Sequence, residues 1–289
     1  MFRHALLASD LSPASDRMIA CLHGLRALSV TRITLLHALG VRHLEEMAKL
    51  LAQDAEPHLR RQVEALETQG FKVESILATG APTQEILRVA REREASMIVV
   101  GSQGASIARD RLLGSVAQEV LHRSEVPVFI ARLRYLEGPE PACEMVCQDF
   151  LQHVLFATDF SDTADHAFST LEELVRQGCR RVTLIHVQDE SRIGGHLHDR
   201  LEEFNRIDTG RLERLASRLG QLGASDIRIR LPYGFPKREI LKEAGLEGYS
   251  LILMGSQGRG YFGDILLGSL AHHISRHAPI PTLLIPPVR

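Results

Sequence analysis

One glycine-rich loop occurs twice in this chain. GSQG at Gly101 to Gly104 recurs at Gly255 to Gly258, and each copy is followed, after nine intervening residues, by Gly-Ser at Gly114/Ser115 and Gly268/Ser269. At an average glycine usage of about 7%, three glycines at fixed spacing arise at roughly one position in three thousand. Two copies in matching contexts therefore mark a duplication. The flanks agree: ALLASD at Ala5–Asp10 answers VLFATD at Val154–Asp159, Leu35-Leu36-His37 answers Leu184-Ile185-His186, and Ser12 answers Ser161. Gly80-Ala81-Pro82 then answers Gly234-Phe235-Pro236 with five extra residues inserted upstream. Met97–Val100 answers Leu251–Met254, and Val126-Pro127-Val128 answers Ile280-Pro281-Thr282. Each copy has ordinary domain size, roughly 140 residues. The reading is a first domain at 1–132, a linker at 133–150 carrying Gly138, Pro139 and Pro141 without a clear period, and a second domain at 151–289.

Within each copy, short continuous apolar runs alternate with longer amphipathic stretches, the pattern of a parallel sheet covered by helices. In the first copy the strands are expected near Ala5–Ser9, Ile33–Ala38, Lys72–Ala78, Met97–Gly101 and Val128–Ala131. Helices are expected near Ala14–Leu28, Leu44–Gln69, Thr83–Glu94 and Ser115–Arg123. Gly70 reads as a left-handed residue ending the second helix, and Pro57 is expected to kink or split that helix. The second copy repeats the order from Gln152 to Ile285. The fold class is therefore α/β, with two tandem open parallel five-stranded sheets flanked by helices.

Composition narrows the function classes. Charged residues make up 24% and the formal net charge is −2, which argues against a broad nucleic-acid footprint. The N-terminus MFRHALLASD lacks the apolar core of a secretory leader, and no apolar run approaches the ~20 residues of a membrane span, so a cytoplasmic location is expected. The cysteines, Cys21, Cys143, Cys147 and Cys179, do not correspond between the copies, which disfavours a disulfide framework.

In an open parallel sheet a ligand sits beyond the carboxyl ends of the strands, where the winding reverses, between strands one and four. Asp10 ends the first strand and Gly101 the fourth, so the glycine loop leaves the sheet at that crevice and Gly114-Ser115 delivers the chain into the next helix. A helix N-terminus offers unpaired amides and the positive end of the dipole, both suited to phosphate. Ser115 and Ser269 are candidates either to cap their helices or to donate to a phosphate oxygen. The plainer readings stand beside these. The loops are also compatible with tight turns that bind nothing, and Asp10 and Asp159 with turn or cap residues. His37 and His186 read as buried, hydrogen-bonded imidazoles rather than bases. His273 and His277, His196 and His198, and Cys143 and Cys147 are pairs without a third metal ligand, so no metal site is assigned.

Catalytic signatures are not found. There is no G-x4-G-K-[ST] loop, no SGGxDS after the first strand, which ends SDLSPAS, and no nucleophile elbow. Any ATP hydrolysis is expected to be slow and assisted by Mg2+.

G-x2-G-x9-G-S after a hydrophobic strand, an Asp after the first strand and a closing strand such as VPVFIA together resemble the universal stress protein family in its tandem form. The resemblance covers nearly the whole chain outside the linker. It implies strand order 3-2-1-4-5, as in the adenine nucleotide α-hydrolase-like fold, and binding of ATP, ADP or AMP in both copies. Carried over residue by residue, it puts Asp10 near ribose or adenine, Ala38 and Val100 at the base, Gly101 and Gly104 along the ribose and phosphates, and Gly114, Ser115 and Val116 on phosphate. The second copy offers Asp159, Val187, Met254, Gly255, Gly258, Gly268, Ser269 and Leu270. Arg109 and Arg111 lack basic counterparts at Gly263 and Ile265, and Arg259 faces Ala105, so unequal affinities are expected. The resemblance also implies that the last strands pair as an internal pseudo-dimer, with association of two chains as an extension. The resulting reading is a nucleotide-dependent sensor or regulator acting through an unknown protein partner. The alternatives are a slow ATPase using the same crevice, or a protein that holds another small ligand or none.

Overall fold

The computed structural model describes residues 1–40, 45–102, 113–136, 142–145, 149–197, 200–246, 248–258 and 267–288. The chain divides into two compact units, Met1–Gln148 and Asp149–Arg289. Unit 1 contains β1 (His4–Ala8), α1 (Pro13–Ala20), β2 (Arg32–Ala38), α2 (Glu45–Thr68), β3 (Lys72–Ala78), α3 (Pro82–Glu92), β4 (Met97–Gly101), α4 (Ser115–Arg123) and β5 (Val128–Ala131). Its strands run in the order β3-β2-β1-β4-β5, and every neighbouring pair is parallel. Two further strands, β6 (Leu133–Leu136) and β7 (Ala142–Met145), pair antiparallel in the segment read from sequence as a linker.

Unit 2 contains β8 (Val154–Ala157), α5 (Asp162–Arg176), β9 (Arg181–Ile185), β10 (Gln188–Asp189), α6 (Glu190–Leu197), α7 (Leu201–Gln221) and β11 (Asp226–Arg230). It continues with β12 (Tyr233–Gly234), α8 (Pro236–Ala244), β13 (Leu251–Gly255), α9 (Ser269–His277) and β14 (Thr282–Ile285). The main strands repeat the unit 1 order as β11-β9-β8-β13-β14, all parallel, and β10 pairs with β12 in a ribbon of its own. Among the described residues, no helix is long and apolar enough to cross a membrane.

The strand order follows from burial. Leu6 and Leu7 in β1, Ile98 and Val99 in β4 and Phe129 and Ile130 in β5 are completely buried, as are Leu155, Phe156, Ile252 and Leu253 in unit 2. Such runs, apolar on both faces, belong inside a sheet covered on both sides. By contrast β3, KVESILA, and β11, DIRIR, are half-exposed and carry charges, which suits the end of a strand order because charged side chains discourage further pairing.

Helix boundaries obey local chemistry. Ser12 accepts a hydrogen bond from Ser15 N at the start of α1, and Ser161 accepts one from Ala164 N at the start of α5. After α2, Gly70 takes φ +85° and Phe71 N donates to Leu66 O; after α7, Gly223 takes φ +107° and Ala224 N donates to Leu219 O. Pro57 does not split α2, which runs continuously through it. A proline removes one backbone bond, and Ala55, Leu59 and Leu66 anchor the helix by burial on both sides of the interruption. The helix expected at Ala14–Leu28 is instead α1 followed by a 3-10 helix at Leu22–Leu28.

A second duplication lies at the opposite ends of the strands. In unit 1, His4 Nε2 meets Thr34 Oγ1 at 2.8 Å, and Ser96 Oγ donates to His4 O at 2.8 Å. In unit 2, His153 Nε2 meets Thr183 Oγ1 at 3.0 Å, and Ser250 Oγ donates to His153 O at 3.0 Å. Burial lowers the pKa of both histidines, helped by Arg32 beside His4 and by Arg181 and Arg228 beside His153.

Candidate functional site

The chain winds outward from β8 through β9 to β11 and then returns to the other side of β8 as β13. That reversal opens a crevice at the carboxyl ends of β8 and β13. A cavity of about 910 Å³ occupies it. All eight site residues expected in the second copy, Asp159, Val187, Met254, Gly255, Gly258, Gly268, Ser269 and Leu270, lie on its wall.

Asp159 follows β8 in a strained turn. Phe160 has φ +58°, as Leu11 has φ +59° at the equivalent point of unit 1, and a non-glycine residue held there costs on the order of 1–3 kcal/mol. The turn is fixed by the aspartate, whose Oδ1 accepts from Ser161 N at 3.1 Å and Ser161 Oγ at 2.6 Å. In unit 1, Asp10 Oδ1 accepts from Ser12 N at 3.1 Å and Ser15 Oγ at 2.6 Å. The helix caps are thus Ser12 and Ser161, and the aspartates orient the turn before them.

The glycines of the second loop serve close packing within the protein. A Cβ at Gly255 would lie 2.9 Å from Thr163 Cγ2, and one at Gly258 would lie 2.6 Å from Asp159 Oδ2. Gly268 N donates to Ser256 O at 2.7 Å, as Gly114 N donates to Ser102 O at 3.1 Å, which ties the start of each helix to the strand end. The expectation that Ser115 or Ser269 caps its helix is corrected. The N-caps of α4 and α9 are Gly114 and Gly268, and among the described residues neither helix start has a side-chain cap. The first turn of α9, Ser269, Leu270 and Ala271, borders the cavity, and among the described residues no side chain caps it.

His186 ends β9. Its Nδ1–H donates to Thr158 O at 2.8 Å, since a carbonyl oxygen can only accept, and its Nε2 lies 3.6 Å from Asp208 Oδ2. Arg211 bonds Asp208 at 3.3 Å and stands 5.2 Å from the Phe160 ring centroid, while Phe160 and His186 pack with centroids 4.6 Å apart. His186 is the buried, hydrogen-bonded histidine expected from sequence and holds the turn; His37 bonds Ser9 O at 2.9 Å in the same way but is half-exposed, not buried as expected. His273 and His277 lie ring to ring, 4.5 Å between centroids. Among the described residues no group of three or more His, Cys, Asp or Glu side chains could hold a metal.

In unit 1, Asp10 follows β1, Ala38 ends β2, Val100 and Gly101 end β4, and Gly114, Ser115 and Val116 open α4. These residues gather at the same strand ends. Gly104 lies outside the described residues, as do Arg109, Arg111, Arg259, Cys147 and His198.

Among the cavity residues that sequence reasoning missed, three bear most on a ligand. Gln188 is 3% exposed, and among the described residues neither its amide oxygen nor its amide nitrogen has a hydrogen-bond partner. Lys237, at the start of α8, borders the cavity without an ion pair among the described residues, whereas Arg192 and Arg211 face Asp189 and Asp208. Phe235 stands half-exposed beside Lys237 on the wall. Aligning the copies would have flagged Gln188, which stands opposite Leu39, and Lys237, which stands opposite Thr83.

Comparison with known proteins agrees with this geometry. The universal stress protein family model matches residues 1–132 and 151–286. A universal stress protein of Mycolicibacterium smegmatis is 28% identical over 228 residues, covering 76% of this chain and 71% of the relative. Universal stress protein YxiE of Bacillus subtilis is 32% identical over 127 residues, covering 43% of this chain and 86% of the relative. The crystal structure of a universal stress protein from Archaeoglobus fulgidus superposes with a TM-score of 0.69 at 26% identity, covering 98% of this chain and 95% of that one. With the family pattern present in both units, the chain belongs to the universal stress protein family as a tandem duplicate.

Proposed function

We propose that each unit binds one adenine nucleotide at the carboxyl ends of its strands, and that occupancy alters contacts with a protein partner in the cytoplasm. The observation that carries this reading is the convergence of all eight expected second-unit residues on a single cavity of about 910 Å³, within the usual range for small-molecule sites. The base would lie by Val187 and Met254, the ribose by Asp159 and Gly255, and the phosphates by Gly258 and the start of α9. The donor set fits an anion there: backbone amides at a helix start, the Ser269 hydroxyl and the Lys237 ammonium favour negative charge. Unit 1 offers Asp10, Ala38, Val100, Gly101, Gly104, Gly114, Ser115 and Val116 for the same role. AMP, ADP and ATP are the candidate ligands, the last with Mg2+.

Denaturing freshly purified chain and chromatographing the released small molecules tests the proposal, together with calorimetric titration of stripped protein by AMP, ADP and ATP. Recovery or tight uptake of an adenine nucleotide is the expected result. A chain that neither carries nor takes up any of the three would overturn the proposal. Phosphate release over many turnovers distinguishes a binding protein from a slow ATPase using the same crevice.

A further inference from the structure

Gln188 is the residue of this cavity least explained by folding. A buried amide lacking partners gives up its hydrogen bonds to water and gains none in return, so such groups are rare unless something else satisfies them. Both polar atoms of Gln188 are in that condition, sealed within the wall in a side chain 3% exposed, on a residue that borders the cavity directly after Val187. Its backbone has no such need, since Gln188 N donates to Pro232 O at 2.9 Å. The equivalent position of unit 1 is Leu39, whose N donates to Ala78 O at 2.9 Å. The local backbone pairing is thus kept by a leucine, and the carboxamide is an addition peculiar to the second unit.

We infer that Gln188 is a specificity-determining residue that reads the edge of a 6-aminopurine in the second site. This rests on the nucleotide reading above. Turned from the wall into the cavity, the Gln188 carboxamide presents one acceptor and one donor side by side, which match the exocyclic amino group of adenine and its adjacent ring nitrogen. The first site, with Leu39, lacks this contact. A ligand without the amino group leaves the Gln188 oxygen buried and unpaired, and a site built around such a hydrogen bond rejects analogues that cannot make it. The two units therefore differ in base selectivity, with the second discriminating more sharply.

The test uses the full chain, titrated with AMP and with purine riboside 5′-monophosphate, which lacks the 6-amino group. The proposal expects the second site of the wild type to prefer AMP by about tenfold. In Gln188→Leu that preference falls toward unity at one of the two sites and is unchanged at the other. Independently, the Gln188 side-chain amide signals in a 15N spectrum, assigned by their loss in the variant, shift on adding AMP to the wild type. If AMP binds with the same preference in both proteins and those signals stay fixed, Gln188 is not a base-reading residue and the nucleotide site still stands. If the wild type takes up neither compound, both readings fall.

Discussion

Gly258 packs against Asp159 so closely that a methyl group on its α-carbon would lie 2.6 Å from the carboxylate Oδ2. The opposite oxygen of that carboxylate is held by Ser161 N and Ser161 Oγ. The aspartate therefore cannot yield to Gly258→Ala without weakening those bonds or displacing the loop. The expected outcome is a nucleotide affinity at the second site reduced about tenfold, the loss of roughly one charge-assisted hydrogen bond. The first site keeps its affinity. Two-site calorimetry measures both, and unchanged second-site affinity would show that the contact has no part in binding.

Gly255→Ala acts on folding instead. Its Cβ would meet Thr163 Cγ2 at 2.9 Å and the Thr163 backbone at 3.2 Å, and that residue sits in the first turn of α5. Backbone cannot move aside as a side-chain tip can. The overpacking should destabilise unit 2 by about 1–3 kcal/mol, read as a lower urea midpoint.

Ser161→Ala removes the α5 cap and one of the two bonds to Asp159. A lost serine cap costs about 1 kcal/mol, so the urea midpoint should fall less than for Gly255→Ala. Because Asp159 loses a restraint, nucleotide affinity should fall as well. A stability loss with affinity unchanged would separate the cap from the site.

The repeat made most of this architecture legible. ALLASD and VLFATD announced the central strands because buried parallel strands must be continuously apolar, and the glycine spacing located the helix starts that border the cavity. Tertiary packing was less visible. Gly255 and Gly258 read from sequence as openings for a phosphate, yet their missing Cβ atoms first make room for Thr163 and Asp159. The caps fell to Ser12 and Ser161 because only a residue with extended backbone just before the helix can fold its hydroxyl onto the first-turn amides. β6 and β7 were missed in a segment whose prolines and lack of alternation signalled a linker. Gln188 lay hidden because a lone glutamine has no motif; only its burial without partners makes it informative.

The paired histidines predict acid sensitivity. Burial lowers the pKa of His4 and His153 below the ordinary value of 6.5. As pH falls through 6.5 the unfolded chain takes up protons that the folded chain refuses, so stability is lost between 6.5 and the lowered native values and is fully present above that window. Urea midpoints should drop from pH 7.5 to pH 5.5. His4→Gln and His153→Gln should each flatten the dependence, and the double variant should flatten it further. A wild-type midpoint constant across that range would overturn the assignment.

Charge differs between the units where the third and fourth helices meet. In unit 1, Thr83 Oγ1 donates to Glu119 Oε2 at 2.8 Å. The equivalent positions of unit 2 are Lys237 and His273, and the lysine lies near enough to help lower the histidine pKa, after burial and His277. A carboxylate in one unit thus corresponds to a cationic neighbourhood in the other, close to helix amides proposed to meet phosphate. ATP carries more negative charge than AMP and gains more from a nearby ammonium. Lys237→Thr should weaken ATP binding at the second site about two- to fivefold, the size of an exposed ionic contact, while changing AMP binding less. The salt dependence of ATP binding should fall with it, since exposed charge pairs are screened over about 10 Å at 0.1 M ionic strength. Equal losses for AMP and ATP would place Lys237 away from the terminal phosphates and leave the two sites alike in the phosphate number they favour.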